Sequence, residues 1–209
     1  MKQFYNFEIE KIKNLSIKDK NKRKKNLELF NQVGFPNKKD EDWKFTDLNS
    51  ILNKNFSNIV NKDLTFEEKE IEFISEFDHN YISLLNGKLV SSNFSYEEKN
   101  KILLKDYNFE DEINLEKKNS LNFLNNALAT GGYSIEITKN YKLKKPIVVY
   151  NNFSRSLNET IVNYKNSIIL NENSDLVLIN NINTSSKENF MVNTIENIKI
   201  LKDSSLKNI

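Results

Sequence analysis

The sequence runs to 209 residues, 38% hydrophobic and 29% charged, with a net charge of +2. That is enough apolar material for the core of one large domain or two small ones, and no run approaches the roughly 20 apolar residues of a bilayer span, so the chain reads as soluble with no membrane partner. Cysteine is absent, which excludes disulfides and thiolate metal sites and points to a reducing cytoplasm.

Residues 1–130 carry 21 basic against 22 acidic side chains and residues 131–209 carry 10 against 7. Neither part is the strongly basic module that nucleic-acid binding usually needs. The N-terminus, MKQFYNFEIEKIKN, alternates charge with apolar residues and lacks the uninterrupted apolar stretch of a secretory signal. The 36 Asn and 29 Lys, against two Arg, spread over every segment and read as coding bias rather than functional choice.

Phe4 to Lys13 has helix-like spacing, and Ile17 to Val33 predicts a second helix with Ser16 as N-cap, Gly34 as C-terminal stop and Pro36 beyond it. The basic run Lys18 to Lys25 lies inside this helix and reads as its solvated face. A turn and charged connector follow, leading to the aromatic pair Trp43 and Phe45, the expected role of which is a buried anchor. Asn49 to Phe77 is polar, charged from Glu67 to Glu72, and reads as mixed loop and short strand. Tyr81 to Leu85 and Lys88 to Val90 flank Asn86-Gly87, a strong hairpin signal because both turn positions favour positive φ. His79, the sole histidine, has no second His or Cys to make a metal site and reads as a surface turn residue.

Asn119 to Ala129 predicts a short helix stopped by Gly131-Gly132. Strands then follow: Tyr133 to Thr138, Pro146 to Tyr150, Glu159 to Tyr164, Ser167 to Leu170, Asp175 to Asn180, Phe190 to Ile195 and Ile198 to Leu201. This change of texture puts a domain boundary near residue 130. Within the second part a pattern recurs at thirty positions, since Ile198, Ile200, Ser204, Leu206 and Ile209 fall in step with Ile168, Leu170, Ser174, Leu176 and Ile179. Such spacing implies stacked coils, each burying its apolar face against its neighbours. The coil ending at Ile209 has no visible cap, which predicts an open edge prone to self-association.

No nucleophile motif, phosphate-binding glycine loop or metal-ligand spacing is present, so no catalytic, cofactor-binding or metal residue is assigned. A carbohydrate-active stacked-coil enzyme would need clustered carboxylates. Glu159, Glu172, Asp175, Glu188 and Glu196 are the available acids, but Glu172, Asp175 and Glu188 stand at or beside turns, and Arg155 has no acidic partner at an obvious register.

Three stretches, in order, resemble a known family. Gly34-Phe35-Pro36 followed by Lys39-Asp40-Glu41-Asp42-Trp43-Lys44-Phe45-Thr46-Asp47-Leu48 is similar to the N-terminal signature of the SufD branch of the SufB/SufD family, from the Suf iron-sulfur cluster assembly system. Leu85-Asn86-Gly87-Lys88-Leu89 resembles the family's early strand pair. Asn125-Asn126-Ala127-Leu128, the glycine pair and Pro146-Ile147 resemble the entry into its core. The resemblance implies an α+β fold: an N-terminal helical and hairpin domain over residues 1–130, then the first coils of a right-handed parallel β-helix over 131–209. It also implies a non-catalytic scaffold that pairs with SufB through the β-helical cores, and with the ATPase SufC through a C-terminal domain missing here. The iron-sulfur cluster belongs to the full complex, with no cofactor on this segment. Family members are longer than this sequence, and His79, lying before the core, does not correspond to the histidine expected at the SufB interface.

Overall fold

The computed structural model describes residues 4–62, 72–107 and 119–209. The chain begins with a short strand β1, Tyr5–Asn6, and a 3-10 turn, Ile9–Lys11, instead of the expected helix over Phe4 to Lys13. Pairing decides this: β1 runs parallel to β2, Ile59–Val60, and the Ile59 amide donates to the Phe4 carbonyl at 2.8 Å. Helix α1, Ile17–Val33, has the predicted bounds. Ser16 Oγ accepts from the Asp19 amide at 3.1 Å, and Gly34, at φ 76°, ends the helix with its own amide on the Phe30 carbonyl. Each end thereby satisfies one of the orphaned backbone groups of a helix terminus. Phe30 is fully buried in an aromatic knot with Tyr5, Phe7 and Phe35.

A second helix, α2, Leu48–Asn55, occupies part of the stretch expected to be loop. Its signal was local: Asp47 accepts from the Ser50 amide at 2.9 Å as N-cap, and Leu48, Ile51 and Leu52 share one face. The charged run from Glu67 lies, as far as residue 71, outside the described residues. The hairpin forms as expected from β3, Asn80–Leu85, and β4, Lys88–Asn93, with Asn86 at φ 50° and Gly87 at φ 79°. Strand β5, Ile102–Asp106, was not anticipated; it pairs antiparallel with β6, Tyr133–Ile137. Between them stands α3, Ser120–Leu128, opened by a reciprocal pair in which the Asn119 and Asn122 side chains each accept the other's amide.

The remaining strands are β7, Ile147–Phe153, β8, Thr160–Leu170, β9, Asp175–Thr184, β10, Phe190–Ile200, and β11, Ser205–Asn208. Two pairs of expected strands are each continuous, in β8 and in β10. The polar residues Lys165 and Asn166 stay in the ladder opposite Ile195 and Glu196 rather than breaking it. One sheet has the order β1-β2-β8-β6-β5 with β10 also on β8, and the other runs β11-β9-β7-β3-β4. Parallel pairing holds between β8 and β10, β9 and β11, and β7 and β9. The thirty-residue recurrence is a physical register: Ile168 lies beside Ile198, Leu170 beside Ile200 and Leu176 beside Leu206.

The molecule is thus α+β, with two parallel or mixed sheets and few helices among the described residues. Alternation along β8 sorts its side chains to two sides. Val162, Ile168 and Leu170 join Ile82, Ile135, Ile147 and Leu178 in a core contributed by both sheets. Ile161 turns the other way, into a second apolar cluster with Phe30, Leu52, Leu124 and Leu128 from the three helices.

Candidate functional site

Where helices, hairpin tip and β8 converge, backbone meets backbone. Gly131 bridges to Tyr164 and Gly132 to Lys88. A Cβ on Gly87 would lie 2.6 Å from the Tyr164 ring, and one on Gly132, at φ 125°, would overlap the Lys165 carbonyl oxygen. The expected glycine stop is therefore something else. Helix α3 already ends at Ala129, in extended conformation with its amide on the Asn125 carbonyl, and the glycine pair allows the close approach that follows.

Buried asparagines fasten the same junction. Asn125, fully buried, donates from Nδ2 to the Tyr164 carbonyl at 3.1 Å and the Asn193 carbonyl at 2.7 Å, stapling α3 across β8 and β10. Asn193 donates to the Leu121 carbonyl at 3.0 Å and to Asn163 Oδ1 at 2.9 Å. Asn86 and Ser154 exchange two bonds, Nδ2 to Oγ at 2.9 Å and backbone amide to Oδ1 at 3.0 Å, which lock the hairpin tip to the residue after β7. Composition hid these residues among 36 asparagines. Their signal was position: Val162-Asn163 and Val192-Asn193 extend the thirty-residue alignment backwards.

Beside this junction opens a cleft of about 520 Å3. One wall is the loop from Lys11 to Leu15 with Asp19 and Arg23 of α1. The other is the hairpin tip at Asn86 and Lys88, the end of α3 at Leu128, and Ile161 to Asn163 of β8. Among the described residues Lys11, Lys13, Arg23, Lys62 and Lys88 line it, with Asp19 as the one lining carboxylate. Arg23 is an exception to the solvated face expected of Lys18 to Lys25, since it is only 6% exposed and donates to the Ala127 carbonyl at 2.9 Å. Burial lowers its pKa and the Asp19 carboxylate works against that, while a guanidinium keeps its charge through such shifts. Asn163 is 5% exposed, and among the described residues its enclosed Nδ2 has no hydrogen-bond partner. These cations are already engaged within the fold: Lys11 pairs with Glu8 at 2.7 Å and Lys62 donates to the Asn158 carbonyl at 3.0 Å.

The other residues singled out by sequence lie apart from the cleft. His79 is half-buried; its Nδ1 faces the Phe77 carbonyl at 2.9 Å and its Nε2 the Tyr150 hydroxyl at 2.8 Å, so it is part of an aromatic cluster and not a bare turn residue. The anchor expected at Trp43 and Phe45 is not buried: Trp43 is half-buried and Phe45 is 88% exposed. Their segment is held by its polar residues, with the Asn37 amide on Asp40 Oδ2 at 2.8 Å and the Trp43 amide on the Asp40 carbonyl. The acids do not converge. Glu159 accepts from the Ser57 amide, Glu172 pairs with Lys139, and Asp175 pairs with Lys142 at 3.0 Å. Among the described residues no group of three His, Asp or Glu side chains could hold a metal ion, and no helix is long and apolar enough to cross a membrane.

Residues 1–93 match the family model of the SufBD protein N-terminal region. The match takes in the Trp43 motif and the hairpin, and it supports the SufB/SufD family and, at that level, a role in Suf iron-sulfur cluster assembly. It does not distinguish SufD from SufB. No curated protein matches the chain.

Proposed function

We propose that this chain is a SufD-like scaffold subunit of a SufB-SufC-SufD complex for iron-sulfur cluster assembly and transfer. The observation that carries the reading is the match over residues 1–93 to the SufBD N-terminal region. The absence of cysteine favours SufD over SufB, whose function uses cysteines. In this reading the chain is not itself an enzyme. SufC is the ATPase, and the cluster is cargo of the whole complex.

The regular parallel register of β7, β9 and β11, and of β8 and β10, supports taking the two sheets as faces of a right-handed parallel β-helix. Such a core would lie side by side with that of SufB. The test is co-expression of a tagged chain with SufB and SufC from the same source, followed by affinity capture and size exclusion. Co-elution with SufB through several salt washes is expected. Elution of this chain alone, while SufB and SufC still associate with each other, would refute the proposal.

A further inference from the structure

We propose that the hairpin tip is a site of spontaneous modification, where Asn86 deamidates to aspartate and isoaspartate at a rate set by how often its lock to Ser154 opens. The proposal stands apart from the scaffold reading, which neither requires nor forbids it. The sequence makes this position reactive. Of 36 asparagines, Asn86 is the one followed by glycine, and glycine places no Cβ in the way of its own amide nitrogen. In the reaction the Gly87 amide gives its proton to hydroxide, and its nitrogen attacks Asn86 Cγ. A five-membered succinimide forms as the side-chain nitrogen leaves as ammonia. Water then adds to one of the two ring carbonyls and the ring C-N bond there breaks. Cleavage at Cγ gives aspartate, and cleavage at the backbone carbonyl gives isoaspartate, in which the chain runs on through Cγ. A carboxamide and water become a carboxylate and ammonium, with no change of oxidation state.

The structure holds this step back. Asn86 is only 5% exposed, and three hydrogen bonds fix it to the chain around the end of β7. Its Nδ2 donates to Ser154 Oγ at 2.9 Å, its Oδ1 accepts from the Ser154 amide at 3.0 Å, and its own amide donates to the Asn152 carbonyl at 2.9 Å. With the carboxamide held on Ser154, Cγ is free to swing to the Gly87 nitrogen only after both side-chain bonds break. The turn is closed from the other side as well. A Cβ on Gly87 would lie 2.6 Å from the Tyr164 ring, and a Cβ on Gly131 would lie 2.4 Å from the Gly87 carbonyl oxygen. A succinimide imposes its own backbone angle on the asparagine, so a tip pinned in this way must lift off before the ring can close.

The same packing separates the two products. Aspartate keeps an oxygen for the Ser154 amide and offers a second to the Ser154 hydroxyl, which then donates where it had accepted. That tip locks again. Isoaspartate lengthens the backbone by one methylene at a turn that Asn86 and Gly87 form at φ 50° and 79°, against Tyr164 and Gly131. That tip has no matching seat and stays open, so each opening of the junction carries a chance of a one-way change.

Peptide mapping by mass spectrometry tests this on the full chain in mildly alkaline buffer. In guanidinium chloride, conversion at Asn86 should outpace that at every other asparagine, and Gly87→Ala, which need not fold there, should slow it. In the native state, three hydrogen bonds of the usual net strength should slow conversion by about hundredfold. Ser154→Ala should speed native-state conversion by about two- to tenfold, the share of its lost side-chain bond, and the parent's folded-to-unfolded ratio is decisive whether or not that variant folds. Faster conversion at another asparagine in denaturant, equal rates folded and unfolded, or the parent's rate in folded Ser154→Ala would overturn the proposal. Chains converted in denaturant, separated and refolded test the products. Isoaspartyl chains should unfold at lower denaturant than aspartyl ones, and equal midpoints would overturn the one-way step.

Discussion

Asn125 gives the sharpest test of how the helical layer is tied to the sheets. Its Nδ2 spans two neighbouring strands, reaching the Tyr164 carbonyl of β8 at 3.1 Å and the Asn193 carbonyl of β10 at 2.7 Å, in a site with no solvent exposure. Replacing it with Ala removes both bonds, worth about 1 kcal/mol net each. Carbonyls that lose the amide stay desolvated and add roughly 1 kcal/mol. Against this, Asn125 Oδ1 is itself buried without a partner among the described residues, and its removal returns about 1 kcal/mol. The expected loss for Asn125→Ala is therefore about 2 kcal/mol. Asn125→Asp, nearly the same shape, substitutes acceptors for the two donors and confronts both carbonyls with a buried acid. It should cost more than Ala, about 4 kcal/mol. Urea unfolding followed by circular dichroism reads both, through the shift of midpoint at constant slope. An Ala variant within about 0.5 kcal/mol of the parent, or an Asp variant no worse than Ala, would refute the staple.

Gly132→Ala should lose at least about 3 kcal/mol, from an unfavourable φ and overlap with the Lys165 carbonyl, read as a lower urea midpoint and soluble yield; unchanged yield and midpoint would contradict the close approach. Glu97 accepts from Tyr141, Asn80 and the backbone amides of Lys144 and Lys145. Partial burial pushes its pKa up, but those bonds outweigh burial and hold it below the ordinary carboxylate value. The folded state therefore binds this proton less readily than the unfolded state. Its stabilisation is present above the unfolded pKa and is lost as pH falls through the folded one. Glu97→Gln should destabilise at neutral pH and flatten the fall in melting temperature between about pH 5 and pH 3, whereas parallel melting curves for the two proteins would exclude the effect. Phe45→Ser should change stability by less than about 0.5 kcal/mol in the same urea assay, since the ring is exposed. A larger loss would mean the ring is covered in solution.

What could be read in advance was whatever the chain states locally or repeats. Ser16 and Gly34 bound α1 because capping chemistry acts within four residues, and Asn86-Gly87 makes its turn by its own backbone preferences. The thirty-residue register was legible for a different reason. Stacked parallel strands place like beside like, so Ile168 and Ile198 had to recur in step. Local signals failed where two structures share one signature. A glycine pair after a helix fits a stop as well as a close approach, and only the distant Lys165 carbonyl decides between them. Phe4 to Lys13 had helical spacing, yet its strand partner lies more than fifty residues away. The Trp43 segment misled in the opposite sense, for its recognisable aromatics are held by Asn37 and Asp40 and do not form an anchor of their own.

The cleft was the least legible feature because no single stretch contains it. Lys11 and Asn163 meet across most of the chain's length, and neither differs in type from dozens of other lysines and asparagines. Abundance, whether or not mutation bias produced it, did not make these asparagines interchangeable. Burial gave distinct work to the few that fell at Asn86, Asn125, Asn163 and Asn193. The first, second and fourth direct their amides to acceptors at the helix, strand and hairpin junction. Asn163 instead accepts from Asn193 at 2.9 Å, its own amide enclosed and without a partner among the described residues. Four asparagines of one residue type thus do the work of tying helix, hairpin and strands, and which of the 36 would do so is decided by the register of β8 against β10 and not by the residue type.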